Sequence, residues 1–135
     1  MSTVAAMLQS HPKGPSGVDE AALARCIEVL VECAQTCTAC ADACLGEDSV
    51  ADLTRCITTD LACADICSAT AKVLSRRTGS DADLTKALLA ACVTACESCA
   101  EECAKHSSHH EHCAICERVC RQCSQACGEL LGAVG

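Results

Sequence analysis

Residues 33–44 read CAQTCTACADAC, with cysteine at 33, 37, 40 and 44. Steps of four, three and four keep one face of a helix turned the same way. Leucine ordinarily holds such positions, and here thiols do. Extending the step in both directions gives the seam Leu23, Cys26, Leu30, Cys33, Cys37, Cys40, Cys44. It belongs to a helix expected from Asp19 to Leu45 that stops at Gly46.

The rest of the chain obeys the same rule. Ser49 and Asp52 read as a start signal for a second helix reaching Arg77 and ended by Gly79. Its seam is Leu53, Cys56, Asp60, Cys63, Cys67, Thr70, Leu74. Ser80 and Asp83 repeat the signal for a third helix, whose seam runs Thr85, Leu89, Cys92, Cys96, Cys99, Cys103, His106, His110. The fourth carries Cys113, Cys116, Cys120, Cys123, Cys127 and Leu130. All 17 cysteines fall on these seams, whereas chance would scatter them round the helices. They are expected to face one shared interior.

The expected fold is all-α, an antiparallel up-down-up-down four-helix bundle with a cysteine-lined core. It covers residues 19–135, with helices at 19–45, 49–77, 81–105 and 111–131. Short connections make consecutive helices antiparallel neighbours. A helical hairpin completing its bundle by dimerising is the alternative. Residues 1–18 form a leader, in which Val4, Met7, Leu8 and His11 suit one short amphipathic turn and HPKGPSG (11–17) reads as loop. There is also an internal repeat. Cys33, Cys37, Cys40 and Cys44 superpose on Cys92, Cys96, Cys99 and Cys103, and Cys56, Cys63 and Cys67 on Cys116, Cys123 and Cys127. Asp60 then stands where the second half has Cys120.

Composition narrows the function. The 135 residues include no Phe, Tyr or Trp, and of a hydrophobic fraction of 50% a large part is cysteine and alanine. Large aliphatics alone give a thin core, so cysteine or something bound to it must fill the interior. A net charge of −8 argues against nucleic acid and anionic membranes, and no apolar run reaches a membrane span. MSTVAAMLQSHPKG (1–14) lacks the features of a secretory signal. The expected compartment is the cytosol, where thiols stay reduced. An odd number of cysteines cannot pair completely, and disulfide scaffolds place cysteine in loops rather than helices.

Each cysteine taken alone reads as a small hydrophobe. A column of thiols does not, because leucine fills a seam better and resists oxidation. Thiolate is a soft ligand for Cu(I), Zn(II) or iron–sulfur clusters. Neither proline follows a cysteine as in a ferredoxin run. Structural zinc sites are discrete tetrahedra, and four thiolates on one zinc make a dianion, costly in an interior lacking Lys or Arg. One Cu(I) per thiolate leaves a neutral lining, and i,i+3 or i,i+4 cysteines can share one ion. CTAC (37–40), CESC (96–99), CAIC (113–116) and CRQC (120–123) also match a redox motif, but no strand precedes any of them. A zinc or mixed-metal thiolate buffer and, more weakly, a thiol redox protein remain the alternatives to a Cu(I) store.

The ladders CAQTCTACADAC (33–44) and CVTACESCAEEC (92–103), with CAICERVCRQCSQAC (113–127), resemble the cytosolic copper storage proteins. The resemblance covers residues 20–131. It implies a cysteine-filled four-helix bundle, no enzymatic activity, several Cu(I) ions held as thiolate-bridged species and a homotetramer. It further implies cytosolic copper chaperones or small thiol carriers as partners. Capacity is expected to approach or exceed one ion per thiol, and four capped helices suggest a fold that forms without metal.

The two ends of such a tube differ. One gathers Cys44, Cys56, Cys103, Cys113 and Asp60 with the histidines of HSSHHEH (106–112), and the other gathers Leu23, Thr70, Leu74, Thr85, Leu89 and Leu130. Copper is expected to enter and leave at the histidine end through His106 and His110, then His112, with His109 facing solvent. A plain polar loop bearing histidines is the bland alternative. Asp60, the one acid on a seam, needs a partner if buried. The expected partner is copper near the mouth or His106, His110 or His112.

Overall fold

In the computed structural model, residues 2–14 and 17–134 are described. The loop reading at Pro15 and Ser16, and the chain ends at Met1 and Gly135, lie outside the described residues. Among the described residues every regular element is helical: α1 (Thr3–Gln9), α2 (Glu20–Leu45), α3 (Thr54–Ser75), α4 (Ala82–Ala104) and α5 (Glu111–Ala133), with a 3-10 turn at Val50–Asp52.

Local chemistry sets the boundaries. Asp19 caps α2 by accepting from the Ala22 N–H at 3.2 Å. The Gly46 N–H closes it onto Asp42 and Ala43 carbonyls. The expected capping box at Ser49 does not form. Ser49 makes no side-chain cap, and residues 47–53 instead take i,i+3 bonds that end on Leu53, 1% exposed. Burying that leucine outweighs starting the helix four residues earlier. At α4 the cap is Asp81 rather than Ser80, its Oδ1 accepting from the N–H groups of Asp83 at 3.0 Å and Leu84 at 3.2 Å. Before it the chain reverses at Gly79, whose φ of 67° a side chain would strain.

α2 packs on α3 and α5, and α4 packs on the same two helices. Cross-helix sulfur contacts give the directions. Cys56 lies 3.6 Å from Cys103 and Cys67 lies 3.6 Å from Cys96, so positions climbing α3 meet positions descending α4. Cys26 meets Cys127 while Cys37 meets Cys116, so α2 and α5 are related in the same way. The core enclosed is thiols with a few aliphatics, of which Leu30, Leu53 and Leu89 are the largest wholly buried.

α1 lies along α2 and sends Leu8, 3% exposed, into the core. Met7, grouped with Leu8 on sequence, is 67% exposed. The i, i+3, i+4 spacing admits both residues to one stripe, but α1 meets α2 along the Leu8 side of that stripe and leaves Met7 at its outer edge. Arg77 fastens this end. Its Nη1 donates to the Leu8 carbonyl at 3.0 Å and to Glu20 at 3.1 Å. The expectation of an interior without Lys or Arg therefore needs one correction. The Arg77 side chain is 6% exposed, at the end away from the histidines and paired with a carboxylate.

Candidate metal centre

All 17 cysteines are free and buried. Because each sits at an inward position of a helix, their sulfurs meet along the axis. Starting at the aliphatic end, Cys26 is 3.9 Å from Cys127, and the Cys92 thiol donates to Thr70 Oγ1 at 3.1 Å. Next come Cys67, Cys63 and Cys96, with contacts of 3.6 and 3.7 Å. Cys33, Cys37, Cys120 and Cys116 follow, with Cys37 and Cys120 at 3.5 Å. These separations far exceed a disulfide bond of ~2.05 Å. They bracket the ~3.8 Å edge of a tetrahedron with ~2.3 Å metal–sulfur bonds.

The grouping is more informative than any one distance. Cys33, Cys63, Cys67 and Cys96 form one quartet whose ligand atoms lie within 4.8 Å of one another. Cys33, Cys37, Cys63 and Cys120 form the next, and Cys37, Cys99, Cys116 and Cys120 a third. Neighbouring quartets share sulfurs. They cannot all be separate tetrahedral sites, and simultaneous occupancy requires bridging thiolates.

Asp60 is wholly buried in this column. Its Oδ1 accepts from Cys99 at 3.0 Å, Cys116 at 3.2 Å and Cys103 at 3.7 Å, and its Oδ2 from Cys56 at 3.9 Å. The histidine partnership expected from the sequence is absent among the described residues. The imidazoles sit further out, and thiols are what the seam register puts within reach. Burial first, and then the negative charge that neighbouring sulfurs such as Cys116 carry when ionised, push its pKa up to about 12. Asp60 is therefore a neutral acid at pH 7.

At the mouth, Cys40, Cys44, Cys113 and His112 form a mixed quartet. His112 Nδ1 is 3.4 Å from the Cys40 sulfur and 3.6 Å from that of Cys113. Hydrogen bonds from Cys103, Cys116 and Cys56 lower the Cys40 pKa despite its burial, and His112 adds to them. Burial raises Cys113, and lifts Cys44 to about 11. Burial works against charging His112, but Cys40 and Glu47 outweigh it and raise its pKa.

The histidines rank differently from their order on sequence. His112 reaches the thiols. His106 Nε2 instead faces Glu102 Oε2 at 3.1 Å, and His110 Nδ1 faces Glu47 Oε2 at 2.8 Å. His109 is exposed. The two carboxylates were not singled out on sequence. Glu47 lies in a polar turn that no spacing rule marks, whereas Glu102, buried beside the α4 seam, stands four residues before His106, an i,i+4 spacing that was legible in the sequence. Glu47 also accepts from His112 Nε2 at 2.8 Å.

An all-helical chain whose core is a continuous column of reduced thiols, grouped in quartets that share sulfur, defines a class: a protein lined for several soft metal ions at once. Within that class the chain belongs to the copper storage protein family, whose model matches residues 19–132. It is similar to the copper storage protein Ccsp from Streptomyces lividans, solved loaded with 10 copper equivalents. Identity is 58% over 97% of this chain and 99% of that one, with a TM-score of 0.95. A cytosolic copper storage protein from Streptomyces lividans, solved with five coppers, shares 61% identity over 85% of this chain and 96% of that one, at a TM-score of 0.84. A Ccsp variant with one histidine replaced by alanine matches at 60% identity and a TM-score of 0.87, covering 89% of this chain and all of that one. No curated protein matches the chain.

Proposed function

We propose that this protein stores Cu(I) in the cytosol, binding many ions through cysteine thiolates and catalysing nothing. The observation that carries the reading is the sharing of sulfurs between successive quartets. Bridging lets the ion count approach the thiol count and leaves a near-neutral lining, whereas zinc tetrahedra would each bury a double negative charge. The proposed ligands are Cys26, Cys33, Cys37, Cys40, Cys44, Cys56, Cys63, Cys67, Cys92, Cys96, Cys99, Cys103, Cys113, Cys116, Cys120, Cys123 and Cys127. The cytosolic placement follows the Streptomyces lividans relative.

The four long helices are proposed as one antiparallel up-down-up-down bundle, with the leader fastened across its aliphatic end. The opposed sulfur registers support this arrangement. Copper enters and leaves at the other end. There His112 opens onto Cys40 and Cys113, and His106 and His110 stand further out beside carboxylates. Asp60 lies just inside the mouth as a proton-bearing neighbour of four thiols. A homotetramer is the assembly that the resemblance to the copper storage proteins implies. Partners able to deliver Cu(I) through thiols, either a cytosolic chaperone or a small thiol carrier, suit a mouth lined this way.

Anaerobic titration of the reduced protein with Cu(I) against a competing chelator tests the reading, with zinc as the parallel titration. Uptake is expected to approach or exceed one Cu(I) per thiol. Saturation after a few ions would end it. Greater or tighter zinc loading would favour the mixed-metal buffer.

A further inference from the structure

The carboxylate of Glu47 is the least expected group at the mouth. It belongs to the turn after α2, whereas His110 and His112 open α5. A single oxygen, Oε2, lies 2.8 Å from His112 Nε2 and 2.8 Å from His110 Nδ1. The two rings stack with centroids 5.4 Å apart. An ionised carboxylate only accepts hydrogen bonds, so the His112 nitrogen facing it must carry the proton. With Nε2–H committed to Glu47, the ring turns its other nitrogen, Nδ1, onto the sulfurs of Cys40 and Cys113 at 3.4 and 3.6 Å. His110 occupies the N-cap position of α5 but makes no side-chain cap bond. Its ring braces His112 instead.

We propose that Glu47 is a positioning residue for copper uptake: it holds the His112 ring so that Nδ1 is the atom presented to an incoming Cu(I) and to the first thiols beyond it. The inference rests on the storage reading and adds to it a residue that need not touch metal. An oriented imidazole passes the ion to Cys40 and Cys113 without a ring rotation. A free ring spends part of its time with Nδ1 turned away. Outer partners of this kind typically change metal affinity or activity by ~10–100-fold when removed.

The test pairs Glu47→Ala with Glu47→Gln, which keeps one acceptor oxygen but no charge. In 15N-histidine-labelled, metal-free protein, the His112 Nε2–H should give a proton signal protected from exchange. It should vanish in Glu47→Ala and persist in Glu47→Gln. In stopped-flow mixing with a Cu(I)–chelator complex, Glu47→Ala should load ~10-fold more slowly to the wild-type saturation point, with Glu47→Gln close to wild type. Wild-type loading by Glu47→Ala would overturn the proposal. So would Glu47→Gln loading as slowly as Glu47→Ala while keeping the signal, which would assign the effect to charge. A lower saturation point in Glu47→Ala would also overturn it, making Glu47 a ligand. The signal in metal-free protein is independent of the storage reading, which fails separately if the wild type itself saturates after a few ions.

Discussion

A carboxylic acid surrounded by thiols and shut off from water cannot easily carry its charge, and Asp60 shows the consequence. In the unfolded chain it ionises near the ordinary carboxylate value of 3.8; in the fold it keeps its proton up to about 12. Folding therefore takes up a proton at this residue. Its contribution favours the fold most at low pH and is lost as pH rises, by roughly 1.4 kcal/mol per pH unit once the unfolded carboxyl is ionised. Glu47, Glu102 and Glu117 run the other way, each with a lowered pKa, so the difference between variants isolates Asp60. Urea denaturation of the metal-free protein at pH 5 to 8 should show stability falling more steeply with pH in the wild type than in Asp60→Asn. The variant should be the more stable at pH 8. Parallel pH profiles would show that Asp60 is already ionised among the thiols.

At the scale of elements, the short leader helix matters more than its seven residues suggest. Ser2 caps it and also donates to Glu28 on α2, while Leu8 packs with the inner face of α2 in the main cluster. Arg77, just past α3, holds the Leu8 carbonyl and ties α1 to the start of α2 through Glu20. Losing a buried leucine side chain costs ~2–5 kcal/mol, least where the surroundings can close the gap, as a short helix packed mainly on one neighbour can. Leu8→Ala should therefore lower the unfolding free energy of the metal-free protein by ~2 kcal/mol. Met7→Ala, at an exposed position, should change it little. Equal effects of the two would mean that α1 does not dock through Leu8.

For the whole molecule, the governing feature is the polarity of the column. Leu23, Leu74, Leu89 and Leu130 are buried at one end. At the other, His106, His110 and His112 remain partly open, with side chains 18%, 17% and 25% exposed. An ion crossing the aliphatic end would leave water with no ligand to replace it. An ion crossing the mouth meets imidazole and then thiol. Replacing His106 and His110 together by alanine should slow Cu(I) uptake in stopped-flow mixing and leave the saturation point almost unchanged. Unaltered kinetics would sink the portal.

Read alone, the sequence located the four long helices, though not the start of α3, along with their inward thiol faces and the thiol chemistry of the interior. Each of these depends on periodicity along one chain segment, and seventeen cysteines in register leave little freedom. It also marked Asp60 and the mouth histidines as out of pattern. Only the tertiary structure decided what those residues touch. Asp60 meets four thiols rather than an imidazole. His112 takes the inner place expected of His106 and His110, because Glu47 and Glu102 hold the imidazoles from outside. Glu47 lies 65 residues from His112 in the chain. The folding of α2 back against α5 brings them together, and hydrogen-bond partners across such a gap leave no period in the sequence to read.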